Sequence, residues 1–280
     1  MVASSVGIIG VGMMGGSIAL AALRAGYRVS LYDGIASEKL AGPKFRDASV
    51  AKNLAELVSN SRLIILATPI GALPQIGSSL SKMVTPSHVV SDVASVKRPV
   101  AELLANALRD RCEYVPAHPM AGSEKSGAEA ARADLFVGAV TLLCPELAVA
   151  AASVASVTAF WERLGTRVVL VDVAEHDQLV AVMSHLPHLV AALLVKHVAQ
   201  RNKAALDLCG PGFRDATRIA SGSPSLWADI LLSNADAVQE HLRGFKRELE
   251  EAIVLLAEKD GKKLQALLDE AKENRDRLSP

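Results

Sequence analysis

The chain has 280 residues with 30 basic and 30 acidic side chains, and half of it is hydrophobic. That is ample for one large domain or two ordinary ones. Zero formal charge and only 4% aromatic residues argue against nucleic acid or an anionic membrane as the main partner, since the basic field and the stacking rings are both missing. Cys112, Cys144 and Cys209 are scattered without a C-x-x-C pair and read as small core residues in a reducing compartment. Met1 to Ser5 carries no basic stretch, and no uninterrupted span of about 20 apolar residues is evident. A soluble cytoplasmic protein is expected.

Val6 to Ile9 is an apolar run that reads as a buried parallel strand. G-x-G-x-x-G follows at Gly10, Gly12 and Gly15, then helix formers from Ser17 to Arg24, with Gly26 placed to end the helix. Val29 to Tyr32 reads as a second strand, with Asp33 at its end. This is the order of a dinucleotide-binding unit. Gly10 allows the tight turn, Gly12 lets a pyrophosphate approach the backbone, and Gly15 lets helix and sheet pack closely. The helix start offers unpaired N–H groups and the positive end of the dipole to a diphosphate. Asp33 stands where a carboxylate binds the adenine ribose hydroxyls and repels a 2′-phosphate, which favours NAD over NADP.

Residues from Gly34 to Ser49 read as a loop with a short helix. Asn53 can cap a helix through Val58. Leu63 to Ala67 is a buried strand ending at Thr68-Pro69, and strand ends of this kind face the ligand. Ile70 to Met83 reads as a crossover helix, Val89 to Ser91 as a strand, and Pro99 to Leu108 as a helix. Tyr114 to Pro116 reads as a short strand running into His118. Val140 to Leu143 and Val168 to Val171 read as further strands, with a helix from Ala148 to Leu164 between them. Strand and helix alternate in the manner of a doubly wound α/β domain.

The strand signal stops after Val173. Asp177 to Gln200 is apolar and helical, interrupted at Pro187 beside two histidines. Helices follow over Leu226 to Leu232 and Ala235 to Leu256, the latter with Val238, Leu242, Phe245, Leu249, Ile253 and Leu256 on one stripe. A charged helix spans Lys262 to Arg277. The expected organisation is a Rossmann-type domain over 1–172 and an all-α dimerisation and substrate-binding domain over 173–280, paired with a second copy because its apolar helices need cover.

His118, at a strand end on the expected nicotinamide side, has the chemistry of a neutral base for a substrate hydroxyl; a structural histidine before Pro119 is the plain alternative. D-V-A-S-V-K at 92–97, H-P-M-A-G-S-E-K-S-G at 118–127, S-H-L-P-H at 184–188 and F-R-D-A-T-R-I-A at 213–220 together resemble the prephenate/arogenate dehydrogenase family, from the first strand to at least Trp227. The resemblance implies oxidative decarboxylation of a cyclohexadienol on the route to tyrosine, with hydride passing to NAD. It implies that His118 is the catalytic histidine and Ser95 the serine that orients it. It also implies that Arg218 binds substrate carboxylate, His188 lies near the substrate side chain, Glu124 lies near the same pocket, and Trp227 acts at the site of its own subunit or of the partner's. Gly10, Gly12, Met13, Met14, Gly15, Asp33, Thr68 and Pro69 are the expected cofactor contacts. No metal is expected, since hydride transfer needs none; His185 and His188 have the spacing of a metal pair only in principle.

Prephenate is the expected substrate, His188 being a donor near its side chain; arogenate or both is the alternative, because the two differ far from the reacting carbon. A 3-hydroxyacid dehydrogenase would use a lysine on a helix instead of His118. A non-catalytic NAD-sensing protein would be expected to lack the His118 and Arg218 constellation. The sequence ends at Pro280 directly after its helical tail, so no regulatory domain or fused mutase is expected, and any feedback by tyrosine would act at the active site.

Overall fold

A computed structural model describes residues 4–34, 42–123, 125–145 and 149–278. Two compact units divide at residue 234: 1–234 and 235–280.

The first unit opens with β1 (Ser5–Ile9), α1 (Met13–Arg24) and β2 (Arg28–Tyr32). A short β3 (Ser49–Val50), α2 (Leu54–Ser59), β4 (Leu63–Leu66) and α3 (Leu73–Leu80) follow, then β5 (Val89–Asp92), α4 (Arg98–Leu108) and β6 (Glu113–Tyr114). The six strands lie in the order β3-β2-β1-β4-β5-β6, and every pair is parallel. This is the doubly wound dinucleotide-binding order, whose switch point lies between β1 and β4. β1 and β4 are buried along their whole length, as strands covered on both faces must be. Asn53 caps α2, accepting from the Glu56 N–H at 2.9 Å. The crossover expected over Ile70 to Met83 is shorter: a 3₁₀ turn over Ile70–Ala72 precedes α3.

A second sheet holds β7 (Ala117–Pro119), β8 (Val140–Leu143) and β9 (Arg167–Leu170), with β8 antiparallel to β7 and parallel to β9. Helix α5 (Ala151–Arg163) links β8 to β9. His118 therefore does not follow a strand of the parallel sheet, as its sequence suggests, but lies inside β7, opposite Leu142. Proline is the physical reason. Val115 still donates to the Val90 carbonyl, but Pro116 has no N–H to continue the ladder, and its carbonyl accepts from Cys144 instead.

Helix α6 (Val173–Val180) runs through a π turn (Ala181–His185) into α7 (Leu186–Arg201). Pro187 does not break this helix, because the widened turn just before it absorbs the missing donor. The sequence suggests no apolar span of membrane length, and here the structure differs. Val173–Arg201 is continuous, and its best 18-residue window has a mean hydropathy of 1.7, enough by length and composition to cross a membrane. The helix nevertheless buries His176, Asp177, His185 and His188 inside the protein, while Leu179, Val182, Met183, Leu193 and Leu194 are exposed. Helix α8 (Pro211–Thr217), a 3₁₀ turn (Arg218–Ser221) and α9 (Pro224–Ser233) complete the unit. The second unit is a helical pair, α10 (Ala235–Glu258) and α11 (Gly261–Asp276).

Candidate active site

The glycine turn has the shape its sequence demands. Gly10 has φ +90°, and a Cβ there would lie 2.7 Å from the Ala67 carbonyl oxygen and from Thr68 Cγ2. A Cβ on Gly15 would lie 1.9 Å from the Gly10 carbonyl oxygen, so α1 rests directly on the turn. Gly12 has nothing within 4 Å of its Cβ position. It is the N-cap of α1, with no side chain closing the helix end. Met13 and Met14 form the half-buried first residues of that helix. The Val11 N–H donates to Asp33 Oδ2 at 2.8 Å, so Asp33 fixes the turn as well as facing it. Thr68 Oγ1 is buried with no hydrogen-bond partner among the described residues, and Pro69 is exposed at the start of the next turn. An open helix N-terminus, an acid at the end of β2 and an orphaned hydroxyl at the switch point fit a dinucleotide.

Around His118 the structure assembles a chain of buried side chains. His118 Nδ1 lies 2.9 Å from His176 Nε2, and His176 Nδ1 lies 2.8 Å from Asp177 Oδ1. Asp177 also accepts the N–H groups of Lys97 at 2.7 Å and Arg98 at 2.9 Å. Burial opposes its ionisation, yet the His176 bond and those two N–H groups hold its carboxyl below the usual range. A carboxylate only accepts, so His176 donates from Nδ1 and its Nε2 must accept. His118 therefore donates from Nδ1 and keeps the Nε2 lone pair. Burial, then the neighbouring His176, Lys97 and His185, hold the pKa of His118 well below 6.5. The result is a neutral imidazole with its basic nitrogen defined. Ser95 is half-buried on the turn between β5 and α4.

The π turn explains why one helix supplies so many of these groups. In a regular α-helix, at about 100° per residue, His185 and His188 would lie roughly 180° and 120° round from His176. One extra residue in the turn subtracts about 100° and brings both back toward its face. His185 is buried, with its pKa lowered to about 4 by burial. Asn234 Nδ2 donates to the Asp177 carbonyl at 2.7 Å and lies 3.3 Å from His185 Nδ1. His188 is buried and stacks on Trp227, with ring centroids 3.5 Å apart and planes 14° from parallel. Its Nδ1 has no partner among the described residues. Gly222 makes room for this pair, since a Cβ there would lie 2.6 Å from Trp227 Nε1 and 3.2 Å from His188 Cε1. Arg218 is exposed and opens the 3₁₀ turn that packs on α7. Glu124 lies outside the described residues. Among the described residues no group of three or more metal-ligating side chains occurs.

Residues 18–170 match the prephenate dehydrogenase nucleotide-binding domain, and residues 172–270 match the prephenate dehydrogenase dimerization domain. The chain belongs to the prephenate dehydrogenase family. A cyclohexadienyl dehydrogenase from Zymomonas mobilis is 33% identical over 270 residues, covering 91% of this chain and 89% of the relative. Prephenate dehydrogenase from Aquifex aeolicus, solved with hydroxyphenyl propionate and NAD+, has a TM-score of 0.89 at 30% identity over 99% of this chain and 98% of that one. Synechocystis arogenate dehydrogenase has a TM-score of 0.82 at 29% identity, over 98% and 99%. This dehydrogenase is thus an oxidoreductase whose relatives act on prephenate, on cyclohexadienyl substrates or on arogenate.

The sequence reading missed His176, Asp177 and Asn234. His176-Asp177 carries a usable signal, a histidine and an acid side by side in an apolar helix, where buried charge needs a partner. Asn234 carries none, because its contacts are made 57 and 49 positions away in the chain.

Proposed function

We propose that this chain is an NAD-dependent prephenate dehydrogenase that forms 4-hydroxyphenylpyruvate in tyrosine biosynthesis. The observation that carries this reading is the Asp177–His176–His118 chain, which leaves a neutral base in a family that oxidises a ring hydroxyl. NAD, when bound, accepts hydride from the carbinol carbon. Asp33 holds the glycine turn and offers its carboxylate to the adenine ribose. His118 Nε2 takes the hydroxyl proton as hydride leaves. Asp177, through His176, stabilises the positive charge so formed. When carbon dioxide departs, the electron pair of the broken C–C bond enters the ring, and the proton returns to the phenolic oxygen. Ser95, half-buried beside β5, serves the nicotinamide side. His188, with Nδ1 unpartnered among the described residues and its ring held by Trp227, faces the substrate side chain.

The boundary between the two functional domains falls near Asp172, where the helix N-cap ends the last strand connection. The exposed apolar side of α6 and α7 is covered by a second copy, giving a homodimer and no membrane insertion; Trp227 then acts in its own subunit against His188. Cys112, Cys144 and Cys209 are free thiols, which suits a cytoplasmic enzyme.

Absorbance at 340 nm with prephenate and with arogenate, each with NAD and NADP, tests the reading. Prephenate with NAD is expected to give the highest kcat/KM. Turnover with arogenate alone overturns the role of His188, and turnover with neither overturns the proposal. Arg218→Leu is expected to raise the KM for prephenate about twentyfold with kcat within about threefold, since a charge-assisted fork to a carboxylate contributes about 1.5–3 kcal/mol. An unchanged KM would place the carboxylate elsewhere.

A further inference from the structure

Lys97 has no exposed surface. Its Nζ is bonded to Asp92 Oδ1 at the end of β5 and donates to the Ala117 carbonyl at 2.8 Å. The Ala94 N–H donates to the same Asp92 oxygen at 2.8 Å, and the Tyr114 hydroxyl donates to the other at 2.7 Å. A buried ion pair is a poor source of net stability, because desolvation offsets its attraction. Here its geometry is specific. The Ala117 carbonyl belongs to the peptide that carries His118. The Lys97 main-chain N–H donates to Asp177 Oδ1, the oxygen that also accepts from His176. One residue therefore holds both ends of the proton chain, by its ammonium at the His118 end and by its amide at the Asp177 end.

We propose that Lys97 is a positioning residue for the reaction: it locks the His118 peptide and the Asp177 carboxylate into one frame, so that acceptor and relay stay aligned. The inference rests on the dehydrogenase reading of the site. The groups that act on His118 are His176 on α6, His185 on the π turn and Lys97 at the N-cap of α4, while Asp177 on α6 and Asp92 at the end of β5 act on His176. The positive charge of Lys97 opposes protonation of His118, so its removal shifts the acid side of the pH profile upward.

Lys97→Met is the test. Small displacements of a reacting group cost up to about a hundredfold, so kcat is expected to fall about thirtyfold, with KM for prephenate and NAD within about threefold. The acid limb of kcat moves to higher pH. Tyr114→Phe loses one hydroxyl from the same cluster and is expected to lower kcat about threefold. Nitrogen-15 NMR of the ligand-free protein should show His118 protonated at Nδ1 in wild type and a mixture of tautomers in Lys97→Met. A folded Lys97→Met protein with kcat within about twofold of wild type and an unmoved acid limb overturns the proposal. So does a loss of thermal stability with tautomer and limb unchanged, which would be a structural role only. If Lys97→Met does not fold, an unmoved kcat and tautomer in Tyr114→Phe overturns it. If wild type oxidises neither substrate, the dehydrogenase reading fails, and the tautomer comparison alone decides the placement.

Discussion

His118→Asn lowers kcat by about a thousandfold at pH 8, the scale of a lost general base, and leaves NAD binding within about threefold of wild type. The reason lies in how the imidazole is held. Its Nδ1 is committed to His176, and Asp177 fixes the direction of that bond. Asparagine keeps a polar group at the site but has no nitrogen that can take a proton. The same geometry sets the sign of the pH dependence. Burial, then His176, Lys97 and His185, hold His118 below 6.5. It is therefore already a free base at neutral pH, and kcat is flat there. The rate declines only as pH falls through the lowered pKa, when Nε2 becomes occupied. His118→Asn should lose that acid limb together with its rate. Acidity also acts on the fold. His118, His176, His185 and His188 are all held neutral below 6.5, chiefly by burial. Between those lowered values and 6.5 the unfolded chain binds more protons, so stability falls as pH falls. The limb must be read where circular dichroism remains constant. A His118→Asn protein with kcat within about tenfold of wild type would remove the histidine from the chemistry and leave the structural reading before Pro119.

Much of the cofactor half is legible in the sequence because its causes are local. A strand buried on both faces must be a short apolar run, and Val6 to Ile9 and Leu63 to Leu66 are such runs. A turn that passes under a helix must be glycine, and Gly10 and Gly15 are placed accordingly. The chain's departure from the parallel sheet at Pro116 was also written locally, in a residue with no N–H, but its destination was not. Whether Ala117–Pro119 joins the first sheet or pairs with β8 depends on residues more than twenty positions away. The helical half hid more. Pro187 marks an irregularity, yet a break, a kink and a π turn leave the same mark in sequence. Only the π turn brings His176, His185 and His188 toward one face. That is why S-H-L-P-H could be singled out while His176-Asp177 was passed over.

Gly12→Ala and Gly15→Ala separate what binds the dinucleotide from what holds the fold. At Gly12 an added methyl meets nothing within 4 Å, and its φ of −76° suits any residue. The substitution should leave the melting temperature within about 2 °C, the scale of a change below 0.5 kcal/mol. The methyl nonetheless occupies the open side of the α1 N-terminus, where a diphosphate must come into van der Waals contact with the backbone. Overpacking by one methyl costs about 1–3 kcal/mol, so NAD affinity should fall by up to about a hundredfold. At Gly15 the methyl would lie 1.9 Å from the Gly10 carbonyl oxygen. That atom is backbone at a residue with φ +90°, so it cannot swing aside as a side-chain end would. Either α1 lifts from β1 or the turn deforms, and both separate the N–H groups that the diphosphate uses. Gly15→Ala should therefore lower stability by about 3 kcal/mol, roughly 6–12 °C in melting temperature, and weaken NAD by at least the same hundredfold. Calorimetric titration with NAD and thermal unfolding of the two variants read both quantities. If Gly12→Ala binds NAD as wild type does, the diphosphate does not cross that face of the turn. If Gly15→Ala melts as wild type does, the close contact between helix and strand is not what sets the entry of α1.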